Sequence, residues 1–341
     1  MRILLLIVIL LVCVLAAAWI GGESWLARKA AQRIEADPRI DAAAVAPLRE
    51  LRRVGLAFTD VAVQTPQGTA SLPALDLWAA PTSPTQFHAS LPAQMTLPVA
   101  GAPRQVTAQD AVLTLRVVPT SGMAVGLAAL ESGTVTLDGA PLAQGVQVAA
   151  RMTPMGAAAP AGAAAAYDVG GTLAGLALGV LPTPAAAALA DMGPLSAEGT
   201  ARLFLTGPLV AGAVRQGAGP TLRGLSSDGV SLRLGDLSLR LGGHLAIAAD
   251  GRPEGAVFLY TADAPALLGL AADLGLIPGP AVALANAALA TAAAAEVALP
   301  AGVTPPAPAA AGEMRLPLVF RDGKMFLGPL PLGRAPVLSA G

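Results

Sequence analysis

Apolar and polar residues alternate with a period of two over much of this chain, most plainly from Ser226 to Gly255. Val230, Leu232 and Leu234 alternate with Ser231 and Arg233. Past Gly235-Asp236, Leu237, Leu239 and Leu241 alternate with Ser238 and Arg240. Past Gly242-Gly243, Leu245 and Ile247 resume the pattern until Asp250-Gly251. Successive side chains of a strand point to opposite faces, so each piece predicts a half-buried β-strand with one apolar side. The Gly/Asp breaks predict tight turns, because both residues take positive φ at low cost. The unit reads as an antiparallel meander whose apolar side needs a cover.

The same texture starts at Val54 and recurs through Leu56/Phe58, Val61/Val63, Leu72–Trp78, Phe87–Leu91, Met95–Val99, Val106–Val118, Val125–Leu130, Val135–Leu137 and Val146/Val148. It returns at Tyr167–Leu178, Glu198–Leu205 and Ala256–Tyr260. Strand signals spaced roughly 8–12 residues apart predict an all-β sheet rather than βαβ units. The Ala/Pro/Gly-rich stretch 152–166 reads as a loop insertion. Helices enter as a sparse cover. One starts at Thr183-Pro184 and runs to Asp191. One is capped by Asp263, covers Pro265–Leu274 and stops at Gly275 and Pro278. A third spans Pro280–Leu299, is apolar almost all round and reads as buried. Val303–Ala311 reads as a loop. At the end, Glu313–Phe320 pairs across Arg321-Asp322-Gly323 with Lys324–Leu327, and Gly328–Gly333 runs out extended.

The N-terminal end differs. Ile3–Ile20 is an unbroken apolar run of 18 residues with Trp19 and Trp25 at its far end. A helix rises about 1.5 Å per residue, so this run spans most of a bilayer core of about 30 Å. An uncleaved transmembrane anchor over residues 1–25 is favoured over a cleavable signal peptide cut near Ala16-Ala17-Ala18. Residues 26–53 follow as a juxtamembrane helix, with a stop expected ahead of Pro38. Arg28 and Lys29 are candidates for headgroup contact there. Residues 54–341 form the β-rich domain, with its helical cover at about 263–299. A single-pass inner-membrane protein with its bulk in the periplasm is the expected placement.

Composition supports this picture more than it extends it. Charged residues make up 13% of the chain and apolar residues 54%, with a net charge of −1. Soluble enzymes carry about 25% charged residues. The absence of a basic field argues against nucleic acid. A GC-rich coding sequence explains part of the alanine excess just as well. Cys13 is the sole cysteine, so no internal disulfide can form.

Little here spells out chemistry. His88 and His244 are the only histidines, and neither has an acidic or cysteine partner at metal-ligand spacing. No G-x-S-x-G elbow and no phosphate loop occurs. Asp228, Asp236, Asp250 and Asp322 all stand beside glycine, which turn chemistry explains. No catalytic residue, metal or cofactor is expected. Arg233 and Arg240 fall at equivalent positions of successive strands. They read as a wet sheet face or as contacts for an anionic headgroup.

The anchor, the D-G-V-S-L-R-L-G-D-L-S-L-R-L-G-G-H-L-A-I-A-A-D-G-R-P-E-G meander, the helical pair and the closing L-P-L-V-F-R-D-G-K-M-F-L-G-P-L-P-L-G resemble the DUF2125 family, uncharacterised envelope proteins of alphaproteobacteria. The resemblance is densest from Gly193 to Gly333. The chain departs from the usual pattern in its Ala-rich insertion near Met155–Ala166 and its scarce aromatics. The resemblance implies an envelope location and carries over no functional residue. In layout the chain is also remotely similar to AsmA-like and bridge-type lipid carriers, an analogy of fold alone. The expected role is binding or shielding of lipid, or another hydrophobic ligand, on a concave face carrying Val230, Leu232, Leu234, Leu237, Leu239, Leu241, Leu245 and Ile247. The alternative is a non-catalytic assembly protein that binds a protein partner along a strand edge.

Overall fold

Period-two patterning becomes antiparallel pairing throughout the computed structural model, which describes residues 22, 24–50, 52–210, 219–275, 277, 279–297, 303 and 307–338. Nineteen strands are found among these residues, joined by antiparallel ladders such as β1–β2, β2–β3 and β11–β12. The apolar run Ile3–Ile20 lies outside the described residues. Among the described residues no helix is long and apolar enough to cross a membrane. Two compact units form, one from residues 1–116 with 130–140, the other from 117–129 with 141–341.

In the first unit, helix α1 (residues 24–35) ends ahead of Pro38, where Asp37 accepts hydrogen bonds from the Arg39 backbone and guanidinium. The expected juxtamembrane helix over 26–53 is therefore helical only to residue 35. Its second part is a strand, β1 (Ile40–Pro47), paired from Ile40↔Val63 to Pro47↔Leu56 with β2 (Val54–Thr65). Alanine favours helix, but a free edge on β2 offers the 40–47 backbone a full ladder, and tertiary pairing overrides propensity. β2 turns through Pro66-Gln67 into β3 (Gly68–Ala79). β3 then divides its partners. Asp76–Ala79 pair with β4 (Gln86–Ser90), whereas Ser71 meets β5 (Gln94–Val99). β5 pairs with β6 (Ala102–Ala108), β4 with β7 (Val112–Val118), and β6 with β9 (Val135–Leu137).

The second unit is a meander. After β8 (Ala124–Ser132) and β10 (Ala140–Ala143), nine strands each pair with the next. They are β11 (Gly145–Thr153), β12 (Ala165–Leu176), β13 (Leu195–Leu205), β14 (Leu222–Leu234), β15 (Leu237–Ile247), β16 (Pro253–Thr261), β17 (Met314–Arg321), β18 (Lys324–Leu327) and β19 (Leu330–Arg334). The segment 328–333, expected to run out extended, is thus the turn into a further strand and most of that strand. Residues 154–164 form the loop expected at 152–166, with both ends of that range already in strands.

Gly242-Gly243 does not turn the chain, as the alternation alone suggests. β15 continues through it, and the register against β14 slips there between Ser227 and Val230. Gly243 has φ +146, and a Cβ on it would strike the Ala256 carbonyl of the neighbouring strand. Glycine here permits a bend with close backbone approach. Similar slips between Thr200 and Arg202 and between Leu173 and Leu176 bend the strands further. The result is a mainly β fold built on a long, open, curved antiparallel sheet with few helices.

Among the described residues three α-helices serve the second unit. Thr183 accepts the Ala186 N–H at 3.2 Å to cap α2 (Pro184–Leu189). Asp263 accepts the Ala266 N–H at 3.0 Å to cap α3 (Ala264–Asp273). α4 (Gly279–Ala293) packs on α3, β17 and β19. It buries Ala285, Leu289 and Ala292 against Leu316, Leu327 and Leu332. Each of those leucines stabilises by roughly 1.5–3 kcal/mol. The expectation of a helix buried all round is corrected, since Leu284 on α4 is 57% exposed.

Candidate functional site

Register lets each side chain of the second unit be assigned to one of two faces. One row runs Val148, Gly171, Gly199, Val230, Leu241, Leu259, Leu316 from β11 to β17. The next row on the same face runs Val146, Leu173, Ala197, Leu232, Leu239. Among the described residues of β11 to β16 this face carries no charged side chain. All eight candidate residues, Val230, Leu232, Leu234, Leu237, Leu239, Leu241, Leu245 and Ile247, lie on it.

Cover on this face is uneven. Over β16–β19, α3 and α4 pack on Leu259, Leu316 and Leu318. At one end Leu234 is buried with Leu178 and Ala186 of the α2 region. At the other end Tyr167 is buried with Ala165 and Leu205, and its hydroxyl donates to Val125 O at 2.9 Å and accepts from Leu209 N at 3.0 Å. Leu245 is buried beside Phe320 and Ala335. Between these caps, Val230, Leu232, Leu237, Leu239 and Leu241 remain half-buried, and Val148 is 42% exposed. The floor is low along β12 and β13, where Gly171, Ala197, Gly199 and Ala201 stand between taller residues of β11 and β14. The arrangement is an apolar furrow. Alternation marks the face, but only the pairing of Gly171 with Gly199 shows that its floor is bare.

Polar rows occupy the opposite side. One runs Gln147, Thr172, Glu198, Ser231, Arg240, Tyr260, Arg315. Arg240 donates to Glu313 at 3.1 Å and lies 3.9 Å from the centroid of the Tyr260 ring. Arg233 is exposed two residues from Ser231 on the same side. Both arginines therefore face away from the candidate leucines, and a ligand lying in the furrow is separated from them by the sheet. Arg28 and Lys29 are exposed on α1 of the first unit. The structure gathers the eight apolar candidates on one face of the second unit and places Arg233 and Arg240 on the other side of the same sheet, while Arg28 and Lys29 belong to the first unit.

Farther along the polar side, Arg202 holds Asp168 by two hydrogen bonds of 2.7 and 3.0 Å. The guanidinium keeps the Asp168 carboxyl below its usual range. The Ala310 N–H and then Arg240 do the same for Glu313. Among the glycine-flanking aspartates, Asp250 accepts from the Arg252 N–H at 3.1 Å and from its guanidinium at 2.7 Å, which lowers its carboxyl pKa through the backbone bond first. Asp322, at φ +53, begins the two-residue turn between β17 and β18.

Neither histidine joins a reactive set. His88 stacks on Trp78 at 4.2 Å and shares hydrogen bonds with Thr114 at 3.0 Å and Gln86 at 3.2 Å. Burial lowers its pKa. His244 is buried on the polar side of β15, beneath the 154–164 loop, a placement that sequence reasoning missed because Ala-rich composition carries no periodicity. No group of metal-ligating side chains occurs among the described residues.

No curated protein and no solved structure matches the chain. A family model does match, over residues 52–336, and its description is "Uncharacterized protein conserved in bacteria". That span takes in all but one of the described strands and every helix after α1, so the chain belongs to the DUF2125 family.

Proposed function

We propose that this protein holds lipid, or another hydrophobic ligand, in the furrow on the apolar face of β11–β15. The observation that carries the reading is an uncharged, half-buried apolar surface bounded on three sides by well-packed cores. A soluble chain gains by burying such a surface, at about 25 cal/mol per Å². Larger exposed apolar patches mark interaction sites. The small residues of β12 and β13 leave room for an acyl chain. The run Ile3–Ile20 supports tethering to the inner membrane with the remaining chain in the periplasm, where lipid is within reach. The layout analogy with AsmA-like and bridge-type carriers points the same way. No catalytic step is part of this role.

The test is lipid co-purification. The full chain, isolated from membranes and washed, is extracted and its lipids quantified by mass spectrometry, beside Val148→Glu and Leu232→Glu variants. Stoichiometric lipid lost in both variants is the expected result. Equal retention in variants of intact fold would sink the reading.

A further inference from the structure

The polar side of β13–β16 carries a hollow of its own. Register places Ser196 beside Arg233 and Arg233 beside Ser238; in the adjoining row Glu198 stands beside Ser231 and Ser231 beside Arg240. Both rows line a cleft of 370 Å³, bounded on the β16 side by Tyr260 and Glu313. That size falls within the range of small-molecule sites.

The wall of this cleft is already satisfied. Arg240 lies 3.9 Å from the Tyr260 ring centroid and donates to Glu313 at 3.1 Å. The floor is not. Glu198 and Arg233 are exposed and form no ion pair with each other or with another described residue. They stand a diagonal apart on neighbouring strands, about 7–8 Å, a spacing that lets one small molecule touch both. Hydroxyls surround them. Ser196 Oγ accepts the Gly175 N–H at 3.1 Å and keeps its own proton to donate. Ser231 and Ser238 are exposed, with no hydrogen-bond partner among the described residues. Two arginines and two glutamates line the cleft, so its charges cancel. Complementarity then disfavours a bare anion or a bare cation and favours a ligand that carries both signs.

We propose that this cleft binds a small, water-soluble zwitterion, with its phosphate or carboxylate on Arg233 and the serine hydroxyls and its ammonium on Glu198. Charge-assisted bonds of this kind are the strong ones. The site lies on the side of the sheet opposite the furrow and takes no acyl chain, so it stands or falls independently of lipid binding there.

The test is calorimetric titration of the full chain, in a non-ionic detergent and a buffer free of phosphate and zwitterions. The probes are glycerophosphoethanolamine, ethanolamine and glycerol 3-phosphate. The first carries both charges, and each of the others carries one. Glycerophosphoethanolamine is expected to bind at least about tenfold more tightly than either, the worth of one further charge-assisted hydrogen bond. Arg233→Gln should weaken it about tenfold and leave ethanolamine unchanged. Glu198→Gln should weaken it to a similar degree and leave glycerol 3-phosphate unchanged. Both positions are exposed, so both variants should keep the native circular dichroism. Monomeric dihexanoyl-phosphatidylethanolamine is expected to compete poorly, since polar rows flank the cleft. Competition at equal strength would trace the zwitterion to a lipid headgroup and overturn the assignment to a free solute. Absence of binding, affinity no better than that of the two halves, or affinity unchanged in both variants would overturn the site itself.

Discussion

The Arg240 guanidinium lies 3.9 Å from the centroid of the Tyr260 ring, on the strand that pairs with its own. The same guanidinium donates to Glu313 at 3.1 Å, and the Tyr260 hydroxyl donates to Ala307 O at 2.6 Å. Together they hold the segment leading into β17 against the polar side of β15 and β16. Arg240 is thus engaged in structure. Arg240→Ala should lower stability by about 1 kcal/mol, combining a partly exposed cation–π contact with a partly exposed ion pair. Lipid retention should stay unchanged. Urea unfolding and lipid quantification on the same sample check both halves.

Gly243 gives a second expectation. Its φ of +146 and the Ala256 carbonyl facing it leave no room for a methyl group. Gly243→Ala should destabilise by roughly 2 kcal/mol, from backbone strain and the clash. Gly101→Ala is the control, because its φ of +79 meets open space. That change should cost about 1 kcal/mol, the conformational penalty alone. Chemical denaturation midpoints separate the two.

Acid should weaken the Arg202–Asp168 pair. The folded carboxyl titrates below the 3.8 of an unperturbed aspartate, so its contribution is present above that pH and is lost as pH falls through the lower folded value. Asp168→Asn should therefore reduce the thermal midpoint at pH 7 and make little difference near pH 2. Thermal melts of both proteins across that range test the sign.

Both histidines predict a second pH window. Burial lowers each below 6.5, so the unfolded chain takes up protons first and stability falls as pH drops below 6.5. Replacing His244 by Phe should flatten the slope between pH 7 and pH 5.5, and replacing His88 as well should flatten it further. Unfolding free energies at matched ionic strength report the slope directly.

On the apolar face, Val148→Glu and Leu232→Glu place a carboxylate where the sheet carries none. Bound lipid should drop by at least about tenfold for each, the equivalent of ~1.4 kcal/mol. Retained circular dichroism separates loss of ligand from loss of fold.

Much of the second unit was legible from local pattern. Asp263 and Thr183 announced their helices because a cap is read within three residues. Asp322-Gly323 announced its hairpin for the same reason. Residues 40–47 and 330–334 did not read as strands, because what makes them strands is a partner elsewhere in the chain. Gly242-Gly243 looked like a turn because glycine serves a turn and a close-approach bend through the same freedom. The candidate leucines were found by alternation, and the same alternation puts Arg233 and Arg240 behind the sheet. The cover over His244 was illegible, since it is a run of alanines without periodicity, in which Pro160 comes close to Gly224 of β14.

The core beneath α3 and α4 draws on Leu268 and Leu289, but also on Leu316, Leu327 and Leu332 near the end of the chain. A ribosome must therefore release the chain at least through Leu332 before this nucleus can close. Until then the two helices have nothing to lie on. A nascent chain in that condition offers greasy surface to any neighbour, and a chaperone has to shelter it during the interval. Stop codons introduced after residue 313 should accordingly yield aggregates or degradation products rather than a shortened, working protein.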